Sequence, residues 1–273
     1  YSIRNYDPAK NEYLKALEIK PDEPLPQERI TAIDSILLMI ANQEVLNAQY
    51  DSLITAGDAL LSDTNYLQAK DKDLKIIIGE GTGDRNYDTF HSFRELGYVE
   101  MAERCGVQLI DLNEAPLRTM RLSQCQRWPE MHLPEIVFES FLLSVPVLKA
   151  HSLASVTLTM KHMMGCPPPA HYEKGGHWKK AAFHDNIQAA IFDLNRYRTP
   201  DFTVLDATVG MQEAHLWGPT CNPPHRKLAA AIDPVAIDVY GAGLLGRDWR
   251  QIGHLAKAHR ELGLAEPLEL VMV

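Results

Sequence analysis

The stretch Lys75-Ile76-Ile77-Ile78-Gly79-Glu80-Gly81-Thr82-Gly83 decides how the rest of the chain is read. A run of β-branched residues bounded by glycines suits a buried strand followed by a tight turn. Such a strand opens an α/β unit, and the pattern recurs downstream. A helix is expected over Thr89–Cys105, stopped by Gly106, with a second strand over Val107–Ile110 that ends at Asp111. Residues 112–135 read as a long connection. Phe141–Leu148 gives a third strand running to Lys149, Phe202–Leu205 a fourth ending at Asp206, and Lys227–Ile232 a fifth ending at Asp233. Helices are expected over Asp185–Asn195, after Asp233-Pro234, and over Trp249–Glu261. Pro234 stands at the first helical position, where its missing N–H costs nothing. Strands alternating with helices imply an α/β fold with a mostly parallel sheet flanked by helices, a Rossmann-like three-layer arrangement.

Residues 1–72 differ in texture and form a separate N-terminal segment, with 73–273 as the α/β domain. The first 26 residues, with Pro21, Pro24 and Pro26, read as an irregular arm. From Gln27, the positions Ile30, Ile33, Leu37 and Ile40 follow helical spacing, and a further helix is expected around Leu53, Ile54, Leu60 and Leu61. Such helices serve packing or partner contact, and a homo-oligomer would form through them.

Composition narrows the function classes. The 273 residues carry a formal charge of −9, which argues against a nucleic-acid or anionic-membrane partner. No apolar run approaches the roughly 20 residues of a membrane span. Cys105, Cys125, Cys166 and Cys221 form no Cys-x-x-Cys pair, so no iron–sulfur cluster is expected. Scattered thiols fit a reducing, cytoplasmic compartment. Because the chain begins at Tyr1, the alternative is an exported protein whose targeting segment lies upstream.

In open α/β sheets, ligands gather beyond the carboxyl ends of the strands. Reading those ends gives Gly79 to Gly83 (with Glu80 and Thr82), Asp111, Lys149 with His151, Asp206 and Asp233. Five lysines and one acid fall between Lys149 and Lys180, a local +4 that leaves −13 for the rest of the chain. That cationic island predicts a small anionic ligand such as a phosphate or carboxylate. Ser155–Met164 reads as a helix capped by Gly165, with Lys161 and His162 in its last turn. Lys149 and His151 have no such structural explanation, which makes them the better site candidates. Cys166, His171 and His177 on the following loop are the metal candidates, for a divalent ion, although their spacing matches no established zinc pattern. The glycine run is a candidate cofactor-binding turn, Gly79, Glu80, Gly81, Thr82 and Gly83, but lacks the full dinucleotide fingerprint and the P-loop Gly-Lys-Ser/Thr. There is no Gly-x-Ser-x-Gly nucleophile elbow.

The run Val145-Pro-Val-Leu-Lys149-Ala-His151 through Met160-Lys161-His162-Met-Met-Gly165 resembles the signature of the domain of unknown function 362 family. Ile77-Ile78-Gly79-Glu80-Gly81-Thr82-Gly83, Thr203-Val-Leu-Asp206-Ala-Thr-Val-Gly-Met211 and Ile232-Asp233-Pro-Val-Ala-Ile-Asp238 match in order, with Ile252-Gly-His-Leu255 and Glu261-Leu-Gly-Leu264 behind them. The resemblance covers about residues 73–265. It departs at His162, where the family usually has asparagine, and the family's early Lys-Pro-Asn segment is not found in residues 1–72. Some members carry a ferredoxin-like cysteine module, and this chain lacks those cysteines.

The expectation is a soluble α/β enzyme acting on or with a small anion at the strand ends. Lys149 and Lys161 would hold the anion, His151 would move a proton, and Asp206 or Glu80 would orient it or a metal. Redox chemistry is the first class to test, since the resemblance includes relatives fused to electron-transfer modules. The alternative is a non-catalytic protein that binds and delivers a metal or cofactor in the same groove.

Overall fold

The computed structural model describes residues 6–34, 37, 75–175, 178–213, 216 and 218–271. The chain divides into two compact units, 1–74 with 271–273, and 75–270.

In the first unit the expected arm is a helix, Tyr6–Ile19. Its core Lys-Asn-Glu-Tyr-Leu-Lys-Ala-Leu-Glu is built largely of good helix formers, and Pro8 falls in the first turn, where proline is tolerated. A second helix occupies 24–34, and there too the prolines open the helix rather than prevent it. Ile30 and Ile33 are buried, as helical spacing requires. Lys10 Nζ meets Asp34 Oδ1 at 2.5 Å. The helix expected around Leu53, Ile54, Leu60 and Leu61, and the position Ile40, lie outside the described residues.

The second unit is a mixed α/β structure. Strands β1 (Ile77–Glu80) and β2 (Gln108–Asp111) form a parallel pair, with Glu80 opposite Asp111. β3 (Leu117–Arg121) and β4 (Glu130–Pro134) form an antiparallel ribbon inside the expected long connection. A five-stranded sheet holds β5 (Leu143–Ser144), β6 (Val147–His151), β7 (Ser155–Thr157), β8 (Phe202–Met211) and β9 (Lys227–Ala231). β5 and β6 both run parallel to β8, while β7 and β9 are antiparallel to their neighbours. The strand expected as Phe141–Leu148 is therefore two pieces, broken at Val145-Pro146 because proline cannot continue the ladder.

Other boundaries move for local reasons. The helix expected over Thr89–Cys105 is two, Thr89–Glu95 and Tyr98–Cys105, separated by Gly97 at φ 74°. The expected Ser155–Met164 helix is strand β7, a single helical turn Thr159–His162 and a 3-10 turn Met163–Gly165. β-branched Val156 and Thr157 favour the strand, which pairs with β6. The last helix is a 3-10 turn, Trp249–Gln251, followed by Gly253–Ala258. Ile187–Tyr197 and Pro234–Leu244 are helical close to their expected places.

The sheet has one well-covered face. Leu148, Ala150, Val156, Leu205 and Ala207 are fully buried and join Ile191, Leu194, Val235 and Ala242 from the Ile187–Tyr197 and Pro234–Leu244 helices in one core. Each such leucine, isoleucine or valine side chain contributes roughly 1.5–3 kcal/mol on burial. The register sets Val147, Asp206 and Leu228 side by side on the other face, where Val147 is 49% and Leu228 69% exposed. No described helix is long and apolar enough to cross a membrane.

Candidate functional site

The site is built on the ends of β1 and β2 and on the segment that leaves β6. Gly79 and Glu80 belong to β1 itself and Asp111 to β2, so the carboxylates close the strands instead of following them. Asp111 Oδ1 accepts from Thr89 Oγ1 at 2.8 Å and from Asn113 N at 2.9 Å, which ties the strand end to the next helix. Glu80 Oε1 accepts from the Gly81 N–H at 2.8 Å. In the glycine turn, Thr82 N donates to Thr89 Oγ1 and Asp84 N to Thr82 Oγ1. These N–H groups, which a bound phosphate would need, are engaged inside the protein.

Why Gly81 is glycine follows from its surroundings. A Cβ there would lie 2.4 Å from Gly165 O, 2.7 Å from Lys180 Nζ and 2.8 Å from Asn113 Oδ1. Lys180 is 4% exposed, and its ammonium donates to Gly81 O at 2.9 Å and Gly165 O at 2.5 Å. Burial pushes it down to about 8, against the pull of Cys166, Glu80 and Asp111. Lys180 thus clamps the β1 turn to the segment after Lys161. Gly165 sits where a Cβ would press on Glu80 Oε1 at 3.3 Å, and it is absent from the left-handed residues. Its role is close approach to Glu80, not the helix cap that the spacing predicts.

The turn Thr159–His162 is aimed by a buried acid. Asp238, on the Pro234–Leu244 helix, accepts from Thr159 N at 2.7 Å and Met160 N at 2.9 Å. These are unsatisfied donors of a helix start, so Asp238 caps the turn from 79 residues away. Asn195 Nδ2 adds a bond to Met160 O at 2.8 Å. The backbone leading into Lys161 is therefore fixed from two neighbouring helices.

Lys161 follows directly. Burial, then the charge of Lys149, push its ammonium down to about 8. Among the described residues neither Lys149 nor Lys161 has a hydrogen-bonded or ion-paired partner. Three histidines feel Lys161. His162 is exposed as a residue, yet loss of solvent around its ring lowers it, opposed by Glu80, with Lys149 and Lys161 adding to the fall; its Nδ1 lies 2.8 Å from Ser144 Oγ. His184 is lowered by burial and by Lys161. Fully buried His254 is pushed down to about 3 by burial and by Lys161. Gln188 Oε1 accepts from His254 N at 2.9 Å and from Nδ1 at 2.6 Å, which leaves Nε2 a buried acceptor with no partner. The result is an unpaired, half-hidden ammonium among three neutral imidazoles, with a second ammonium beside it. Thr157, paired across the ladder with Lys149, has a buried hydroxyl without a partner.

The remaining candidates are placed differently. His151 Nδ1 accepts from Leu153 N at 3.0 Å and Ala154 N at 3.1 Å, holding the β6–β7 turn that Ser155 enters at φ 68°. Asp206 is in the middle of β8, not at its end, because the strand continues to Met211; its carboxylate is held low by Thr208, which donates from both hydroxyl and N–H. Asp233 caps the Pro234–Leu244 helix and also receives Leu264 N. Cys166 is buried, its thiol pushed up to about 11 by burial despite nearby Lys180. His171 stacks on His132 at 3.8 Å. His177 lies outside the described residues, and among those described no three His, Cys, Asp or Glu are grouped to hold a metal ion.

Sequence reasoning missed Lys180, His184, His254 and Asp238 as parts of this arrangement. Lys180 was countable as charge, and Asp238 and His254 lie in the motifs that carry the resemblance, but their contacts span dozens of residues. No curated protein and no solved structure matches the chain. A family model described as "Domain of unknown function (DUF362)" matches residues 52–243, which is more than half of the sequence. The chain belongs to the DUF362 family.

Proposed function

We propose that the chain binds a small anion at Lys149, Lys161 and His162, beside Glu80, and acts on it as an enzyme. The observation that carries the reading is Lys161, which is desolvated yet has no carboxylate or carbonyl partner among the described residues. A half-buried ammonium with no carboxylate or carbonyl beside it is disfavoured, and the anion of a ligand would stabilise it. Lys180 supplies the contrast, since its ammonium is satisfied by two carbonyl oxygens. The charge island read from the sequence supports the same ligand class, and the neutral imidazoles near Lys161 offer proton transfer at ordinary pH. The three-layer reading of the fold also remains a proposal. It is supported by the apolar, exposed positions Val147 and Leu228 on the uncovered sheet face, which a further layer would bury.

The test is thermal melting with oxalate and, separately, inorganic phosphate. A rise in Tm with either anion, lost in the double variant Lys149→Met/Lys161→Met, is the expected result. An equal rise in that variant would place the anion elsewhere.

A further inference from the structure

We infer that β9 is an interface strand and that its partner is β9 of a second copy of this chain, paired antiparallel about a two-fold axis at Ala230.

Among the described residues the five-stranded sheet is open on both sides. One side ends in β7, three residues long; the other ends in β9, which pairs with β8 alone over five consecutive positions. Natural edge strands are blunted by shortness, proline, bulges or charge, because a bare edge recruits another strand. β7 is short. β9 reads Lys227-Leu-Ala-Ala-Ala231, followed by Ile232, with an unbroken register and no charge after Lys227. Leu228 and Ile232 stand four residues apart at 69% and 77% exposure, with Ala230 exposed between them.

The backbone of β9 also points outward. Phe202 N and Asp206 N donate to Leu142 O and Pro146 O, on the side of β8 away from β9. Alternation along the strand then turns Thr203, Leu205 and Ala207 toward β9, where they face Ala231, Ala229 and Lys227. The N–H and C=O groups of Leu228 and Ala230 are therefore aimed at the open edge, and among the described residues nothing bonds to them there.

This edge is its own complement. An axis at Ala230 sets Ala230 against the partner's Ala230, Leu228 against the partner's Ile232 and Lys227 against the partner's Asp233. The apolar face then runs unbroken across the seam, and symmetry supplies two apolar and two opposite-charge pairs directly across the ladder, both favourable kinds. The neighbouring registers lose these matches. An axis at Ala229 would lay Lys227 against the partner's Ala231 and Leu228 against the partner's Ala230. Charge and shape thus select one register, and it closes as a dimer because the same patch serves both copies.

The register can be read by cross-linking. Cys105 is exposed, so the full chain carries Cys105→Ser in this test. Directly opposed residues that exchange both hydrogen bonds have Cα atoms about 5.5 Å apart, within the roughly 4.4–6.8 Å that a disulfide spans. Ala230→Cys should therefore give a covalent dimer on mild oxidation. Leu228→Cys would stand four residues from its symmetry mate, roughly 14 Å away, and should not. Light scattering of the unmodified chain at high micromolar concentration should give the mass of two chains. Leu228→Lys/Ile232→Lys, which places charge at two exposed positions, should give the mass of one. A single-chain mass for the unmodified protein would overturn the inference, as would cross-linking that fails at position 230 or is equal at 228 and 230. A dimer that survives the double lysine variant would also overturn it, by placing the interface on another surface. If that variant does not fold, the two cysteine variants decide alone.

Discussion

Lys180 Nζ donates to Gly81 O across 99 residues of sequence, at 2.9 Å, and the same ammonium reaches Gly165 O. One buried lysine therefore joins the β1 turn to the segment that carries Lys161. Lys180→Met keeps the length of the side chain and removes its donors, stranding two carbonyl oxygens. Hydrogen bonds to a charged group are worth about 1.5–3 kcal/mol each, offset here by the relief of burying a charge. A net loss of about 1–3 kcal/mol is expected in urea unfolding, together with weaker oxalate binding, because the clamp positions the site.

The two ends of the glycine turn should respond unequally to the same substitution. Gly81→Ala would drive a Cβ into Gly165 O, Lys180 and Asn113, two of them held in place, and should cost about 2–4 kcal/mol. Around Gly83 nothing lies within 4 Å of the added carbon, so Gly83→Ala should stay within about 0.5 kcal/mol of the parent. Comparing the two Tm values checks both at once.

The fold was partly legible in advance, for reasons visible in particular residues. Short-range signals survived: Asp233-Pro234 starts its helix with the aspartate as cap, and Ile30 and Ile33 are buried at helical spacing. What failed was decided by pairing at a distance. Val156 and Thr157 fit a helix pattern until β6 offers them a ladder, and β3 and β4 show themselves only when paired with each other. In the site, Lys149 and Lys161 could be selected by charge. Nothing local distinguished Lys180 from the adjacent Lys179, although one is buried and the other reaches Tyr87 O near the surface. His151 was chosen because no helix explained it, and its bonds to Leu153 and Ala154 are a turn explanation that spacing does not reveal.

Asp238 links stability to pH. Burial holds its carboxyl up at about 7, against an ordinary 3.8. The folded chain thus keeps a proton that the unfolded chain has lost, and the contribution to stability is full below 3.8 and falls as pH rises to about 7. Asp238→Asn should flatten the stability profile across that window in urea titrations. It should also weaken the Thr159–His162 turn, because an amide nitrogen in place of one oxygen cannot accept from Thr159 N or Met160 N.

For Lys161 the sign is reversed. Its folded value of about 8 lies below the ordinary 10.5, so the charged form is penalised in the folded chain and the penalty lifts as pH climbs between those values. Removing the neighbouring charge in Lys149→Met should raise the Lys161 midpoint by roughly half a unit to one unit. The rate of acetylation of Lys161 against pH, normalised to exposed Lys174, reads that midpoint directly. An unchanged profile would mean that the two ammonium groups do not interact.

The most direct test of the central claim is a calorimetric titration of the whole chain with oxalate near neutral pH. One site per chain is predicted, its affinity reduced about tenfold or more in Lys161→Met, as expected for loss of one charge-assisted contact. The surface control Lys174→Met should bind like the parent. Equal binding by parent and Lys161→Met would contradict the account, because the unpaired ammonium of Lys161 is what the anion is said to meet.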